Sequence, residues 1–244
     1  MILKKMFSRG WLFTTLLVLA GTAVCARLGI WQLDRLDQRR AFNTQVETMR
    51  AADMLDLNKE LPLDIDSMEW RSVAVTGEYD FENQVVIRNQ YNGSQYGYHI
   101  ITPLLFDGGA VLVDRGWIPA DGNSTPGDWR KYDEIGPQNV TGQIRIGQAQ
   151  PIIGGVADPE LSPEKNRMDA WNNLNLERIA QQIPYPILTV YVQPNTEDAA
   201  SAPPIAFQPI VELTEGSHFG YALQWFTFAT ILFVGYPFYL RKQK

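Results

Sequence analysis

Two long apolar stretches occupy the ends of the chain, and short or alternating apolar runs fill the space between them. From Phe219 to Leu240 about 22 residues pass without a charge. At ~1.5 Å of rise per residue, a helix of that length crosses the ~30 Å hydrocarbon core of a bilayer. At the other end Gly10 to Ala26 is uncharged, and after Arg27 the apolar character resumes in Leu28-Gly29-Ile30-Trp31. Both stretches read as transmembrane helices. A basic start and the small residues Ala20-Gly21-Thr22-Ala23 also describe a cleavable signal peptide. The run is longer than a signal core of ~7–15 residues, however, and no small-x-small site precedes a polar start, so an uncleaved anchor is expected. Leu36, Phe42, Val46 and Met49 keep a helical spacing, which carries this first helix beyond the bilayer to about Arg50.

Between the helices the period shortens. Residues 53–69 read as an irregular crossing. Trp70 to Tyr79 alternates in the two-residue period of a half-buried strand, and Gln84 to Asn89 is a second strand. Tyr96 to Phe106 and Ala110 to Trp117 flank Asp107-Gly108-Gly109, a clear hairpin signal because the tight turn favours positive φ. Residues 118–136 read as a surface loop, Asn139 to Ile146 as a strand and 151–165 as a second long loop. Leu176, Ile179 and Ile183 mark a short helix stopped by Pro184, and Ile187 to Val192 a further strand. Pro203 to Leu213 is extended and proline-limited. The fold class is α+β: two transmembrane helices tethering one extracytoplasmic antiparallel β-rich domain, a small barrel or curled sheet with one or two helices. The expected organisation is a tail at 1–9, helices at 10–33 and 218–240, the domain at 34–217 and a tail at 241–244.

Charge orients this arrangement. Residues 34–217 carry 14 basic side chains against all 27 acidic ones, a net of −13, while Lys4, Lys5 and Arg9 precede the first helix and Arg241, Lys242 and Lys244 follow the second. Basic flanks stay on the cytoplasmic side, so both termini are expected there and the acidic domain in the periplasm of a bacterial inner membrane. Arg35, Arg39 and Arg40 lie on the outer side against that trend, partly offset by Asp34 and Asp37. One cysteine, Cys25, inside a membrane segment rules out a disulfide framework. An acidic domain excludes nucleic-acid binding, which needs a basic face.

No nucleophile elbow, phosphate loop or cluster of zinc ligands occurs, so no enzyme activity is expected. His99 and His218 are the only imidazoles. His99, in a strand, reads as an ordinary partly buried residue. Asp114-Arg115 reads as a structural ion pair or hydrogen-bonding unit, with a partner-facing role beside Trp117 as the sharper alternative. Arg27, Trp31 and Arg35 recur at i, i+4 and i+8 and share one helix face. Snorkelling and interfacial anchoring account for each alone. His218 opens the second helix, with Tyr221 and Trp225 on its face at i+3 and i+7. An interfacial histidine in an aromatic belt and an axial ligand to haem iron are the two readings of it. In the second, Arg27 and Arg35 would meet the propionates.

Four ordered blocks carry a resemblance to the surfeit-locus protein one family of cytochrome c oxidase assembly factors. They are Gly29-Ile30-Trp31-Gln32-Leu33-Asp34-Arg35, then Gly97-Tyr98 with Thr102-Pro103-Leu104, then Val111 to Pro119, and His218 with Tyr221-Ala222-Leu223-Gln224-Trp225-Phe226. The resemblance covers almost the whole chain. It implies a two-helix membrane protein assisting oxidase biogenesis, with haem a on His218 alone of these residues; that Tyr221, Trp225, Arg27, Trp31 and Arg35 surround it is expected from the shared helix faces and matched depth. Family members often carry Asn shortly before this histidine and Leu after it, where this chain has Gly216-Ser217 and Phe219. The expected partners are oxidase subunit I, haem a synthase and membrane lipid. Haem a would lie between the two helices and pass to subunit I. The alternative is a scaffold that docks on subunit I without haem, through Asp114, Arg115 and Trp117.

Overall fold

A computed structural model describes residues 2–151, 154–161, 167–196 and 202–243. Lys244 and parts of the loop expected at 151–165 lie outside these residues. The chain divides into two compact units, Met1–Gln45 with Val211–Lys244, and Val46–Ile210.

The first unit is helical. α1 spans Ile2–Met6, α2 spans Leu12–Ala51 and passes into the second unit, and α5 spans His218–Lys242. The helical spacing of Leu36, Phe42 and Val46 is realised as one uninterrupted helix of 40 residues. α2 and α5 are each long and apolar enough to cross a membrane. Their apolar side chains are largely exposed, Phe13 at 78% and Phe233 at 62%. Thr15 Oγ1 of α2 lies 2.7 Å from the Tyr236 hydroxyl of α5, and Lys5 Nζ of α1 donates to the carbonyls of Leu240 (3.3 Å) and Gln243 (2.5 Å) at the end of α5. Free carbonyls at a helix C-terminus carry partial negative charge, which a lysine offsets.

Among the described residues the second unit holds eight strands: β1 (Leu55–Asp56), β2 (Ser72–Tyr79), β3 (Val85–Asn92), β4 (Gln95–Phe106), β5 (Gly109–Pro119), β6 (Pro137–Ile146), β7 (Ala170–Trp171) and β8 (Val190–Pro194). Two short helices join them, α3 (Pro126–Trp129) and α4 (Leu176–Ala180). β2 pairs with β6, β6 with β8, β8 with β5, β5 with β4, and β4 again with β2 through Glu78 and Tyr79. The sheet therefore curls until its pairing closes on itself. It is mixed rather than purely antiparallel, because β8 runs parallel to β5, β1 to β2 and β7 to β3.

Alternation along the strands sorts the apolar residues between the two faces. Val73, Val75, Leu104, Val111, Val113, Ile144, Val190 and Val192 form one buried cluster. Leu112, Ile101, Val85 and Ile87 turn the other way, against Trp171 and Ile179. The hairpin expected at Asp107-Gly108-Gly109 is present, with Phe106 opposite Gly109. The segment 118–136 departs from a surface loop: α3 carries a capping box between Thr125 and Asp128, and Trp129 is 1% exposed with Nε1 donating to the Asn123 carbonyl. It is a pinned flap, with one indole anchoring it to the sheet.

Candidate functional site

The entry to α5 is built by two arginines of α2. The segment before His218 is polar and would not order itself. Arg39 donates to the carbonyls of Thr214 (2.9 Å) and Glu212, and Arg40 meets both carboxylate oxygens of Glu215 at 2.8 and 3.0 Å. That hydrogen bond holds the Glu215 carboxyl below its usual pKa. Gly216 then takes φ +68, a left-handed turn that glycine adopts without a Cβ penalty, and α5 begins at His218.

This turn delivers the His218 ring to α2. Its Nδ1 lies 2.9 Å from Oε1 of Gln32. An amide oxygen only accepts, so Nδ1 is the donor and, in the neutral ring, Nε2 carries the lone pair. Nε2 has no hydrogen-bond partner among the described residues. An imidazole fixed through one nitrogen with the other open is the form in which histidine binds a metal. His218 therefore offers one imidazole nitrogen of the kind that a metal ion takes.

Arg27, Trp31 and Arg35 sit on the exposed face of α2, where the Arg35 guanidinium covers the Trp31 ring at 5.5 Å and donates to Gln38 at 2.9 Å. Among the described residues none of the three makes a hydrogen bond, ion pair or ring contact with His218. Tyr221 is exposed, and Trp225 is half-buried with its ring edge-on to Phe228 at 6.0 Å. A Cβ on Gly29 would fall 2.7 Å from the Phe226 ring. The two helices touch at that level, and the expected haem between them has no room there.

The three residues expected to face a partner are inside the second unit: Asp114 is 7% exposed, Arg115 6% and Trp117 4%. Asp114 and Arg115 are not paired with each other, since consecutive strand residues point to opposite faces. Asp114 takes Nδ1 of His99 at 2.8 and 3.0 Å. Arg115 stacks over Tyr79 and Phe81, at 5.0 and 5.3 Å, and pairs with Glu134 at 2.8 Å. The β4–β5 register slips between Ile100 and Ile101, so Asp114 faces Ile101 while Gly116 faces Ile100, leaving Arg115 as the extra residue of a bulge. Gly116 has φ +119 and a Cβ there would meet the Ile205 carbonyl at 2.4 Å, so only glycine fits. Trp117 donates Nε1 to the Gln90 carbonyl at 3.3 Å.

Sequence reasoning missed Gln32, Arg39, Arg40 and Glu215. Gln32 was visible within the block after the first helix, but nothing local assigns it a partner 186 residues away.

A model of the SURF1 family matches residues 19–230. An uncharacterised SURF1-like protein of Mycobacterium tuberculosis is 26% identical over 236 residues, 94% of this chain and 83% of its own. Surfeit locus protein 1 of Mus musculus is 25% identical over 220 residues, covering 82% of this chain and 66% of the mouse protein. A SURF1-like protein of Rickettsia conorii is 23% identical over 240 residues, 94% and 92% of the two chains.

Proposed function

This chain belongs to the SURF1 family, and from that premise we propose that it is a membrane-anchored assembly factor for cytochrome c oxidase that takes haem a at His218 and helps its insertion into oxidase subunit I. It carries a group and performs no chemistry on it. In this reading α2 and α5 are the two membrane spans, the basic ends lie in the cytoplasm and the acidic domain in the periplasm of a bacterial inner membrane.

The observation that carries the proposal is the Gln32–His218 hydrogen bond. It fixes the ring and directs its bonding capacity to Nε2, as an axial ligand requires. The haem would supply its iron to Nε2 and its propionates to cations. Arg27 makes no ion pair or hydrogen bond among the described residues, and Arg35 is committed only to Gln38 and the Trp31 ring. Both are on the exposed face of α2, so the haem would lie against the outer side of this helix pair. Haem a synthase would be the supplier and subunit I the recipient.

The scaffold reading loses the contact first assigned to it, since Asp114, Arg115 and Trp117 are all buried. The test is an absorption spectrum of the detergent-purified protein beside His218→Ala, both from cells that make haem a. A haem spectrum in the first and none in the second is expected. Full haem in the variant, or two colourless preparations of folded protein, would overturn the carrier role.

A further inference from the structure

A cavity of about 290 Å³ lies within the unit Val46–Ile210, and the His99–Asp114 pair forms part of its wall together with Arg145, Tyr191 and Gln193. At roughly 30 Å³ per water molecule this is space for about ten waters, or a ligand of about ten non-hydrogen atoms. Three of the side chains on its wall, His99, Arg145 and Tyr191, each keep a hydrogen-bonding atom without a partner among the described residues.

Asp114 is fully engaged: its carboxylate accepts from Nδ1 of His99 and, through Oδ1, from the backbone N–H of Gly116 at 3.1 Å. His99 therefore offers Nε2, which has no partner among the described residues. Its ring is also set edge-on against Phe207 at 5.7 Å. Arg145 is fixed three ways, with its guanidinium 3.7 Å from the centre of the Trp70 ring, Nε donating to Glu69 at 3.2 Å and Nη1 to Gln193 at 3.0 Å. Its Nη2 has no acceptor among the described residues. Gln193 is held in turn by the Phe207 carbonyl at 2.9 Å. The Tyr191 hydroxyl has no partner among the described residues either. Burial and the nearby Asp114 carboxylate push its pKa up to about 12, so it remains a donor.

The pocket is partly open and combines apolar side chains, Ile87, Ile101, Leu174 and Phe207 among them, with a few oriented donors and an acceptor, the mixture that small-molecule sites show. Two of the free groups, Nη2 of Arg145 and the Tyr191 hydroxyl, suit a carboxylate, which accepts only. The third, Nε2 of His99 with Nδ1–H given to Asp114, suits a donor. We propose that the cavity binds a small carboxylate bearing a hydroxyl or amino group on the neighbouring carbon, the carboxylate on Arg145 and Tyr191 and the neighbouring donor on His99. Binding here is separate from the haem site at His218.

The chain has two histidines, so ¹⁵N-histidine labelling of the full protein in detergent gives two imidazole sets, and His218→Ala identifies which is which. Titration with lactate is expected to move the His99 Nε2 resonance saturably and leave His218 in place. Propionate, lacking the hydroxyl, is expected to bind at least tenfold more weakly, and chloride not at all. Arg145→Gln is expected to abolish the shift. Because Arg145 also packs on Trp70, Tyr191→Phe, which removes only the hydroxyl, is the second variant and is expected to weaken lactate several-fold. No lactate shift, equal shifts from lactate and propionate, or an unchanged affinity in folded Tyr191→Phe would each overturn the proposal.

Discussion

Nδ1 of His218 donates to Oε1 of Gln32 at 2.9 Å, so the ring that opens one terminal helix is oriented by an amide on the other. Replacing Gln32 by Leu keeps a helix-forming residue of similar size but removes the acceptor, freeing the ring to turn. Outer hydrogen bonds of this kind are worth about 10–100-fold in ligand affinity. Gln32→Leu is expected to retain haem after a short wash and lose it on a long one, with the wild type unchanged by either. The haem-to-protein absorbance ratio through successive washes is the measurement. Identical retention by the two proteins would show that Gln32 does not orient the ligand.

The contact between Gly29 and Phe226 sets how closely the two terminal helices approach. A Cβ at position 29 would fall 2.7 to 2.9 Å from three ring atoms. The ring must then move, and overpacking of this kind costs about 1–3 kcal/mol. Gly29→Ala is expected to lower the melting temperature in detergent. The same substitution in a Phe226→Leu background is expected to cost clearly less, because the crowded ring is gone. A full double-mutant cycle gives the coupling directly, and simple additivity would contradict the close approach.

Asp80 makes the β-domain sensitive to acid. Burial raises its pKa, but hydrogen bonds from the Asn83 side chain and the Tyr185 hydroxyl, with the backbone N–H groups of Glu82 and Asn83, outweigh it and leave the carboxyl below the ordinary aspartate range. A depressed native pKa favours folding above the unfolded value, and that contribution fades as the pH falls below it toward the native one. Asp80→Asn is expected to flatten this acid limb, and Tyr185→Phe to flatten it partly. Urea midpoints measured from neutral pH down to below the carboxylate range, with each variant beside the wild type, would show it. Parallel acid limbs in wild type and Asp80→Asn would remove Asp80 from the account.

Much of this fold was legible because the signals were local. The uncharged run from Phe219 to Leu240 and the Asp107-Gly108-Gly109 turn each specify an element within one window. Helical spacing to Met49 likewise anticipated the length of α2, which ends at Ala51. What escaped was set by pairing at a distance. The closure of the sheet through Glu78 and Leu105 depends on curvature, which no strand encodes alone. Asp114 looked like a partner for Arg115 because they are neighbours. A bulge and the alternation of the strand gave it instead to His99, and that made an ordinary-looking histidine the wall of a cavity. Trp129 was hidden in a segment whose Gly, Pro and Ser content read as surface. At the proposed haem site the histidine was identifiable by its place at the mouth of a helix. Its orienting partner was not, because Gln32 is 186 residues away and chemically unremarked among the residues around it.

Trp117 discriminates between folding and docking as the reason its substitution would matter. Its side chain is 4% exposed, and its backbone exchanges hydrogen bonds with Ile205 at 2.8 and 2.9 Å, tying the return segment to β5. Truncating a buried indole costs about 3–5 kcal/mol, a large part of the stability of a domain this size. Trp117→Ala is expected to lower the amount of folded protein and the amount of assembled oxidase in the same proportion. Trp117→Phe keeps most of the buried ring and loses only the 3.3 Å hydrogen bond to Gln90, so it is expected to restore both together. Unfolding curves and oxidase content, measured on the same cells, separate the cases. A Trp117→Phe protein that folds normally yet leaves the oxidase unassembled would return this residue to the partner surface, against its burial.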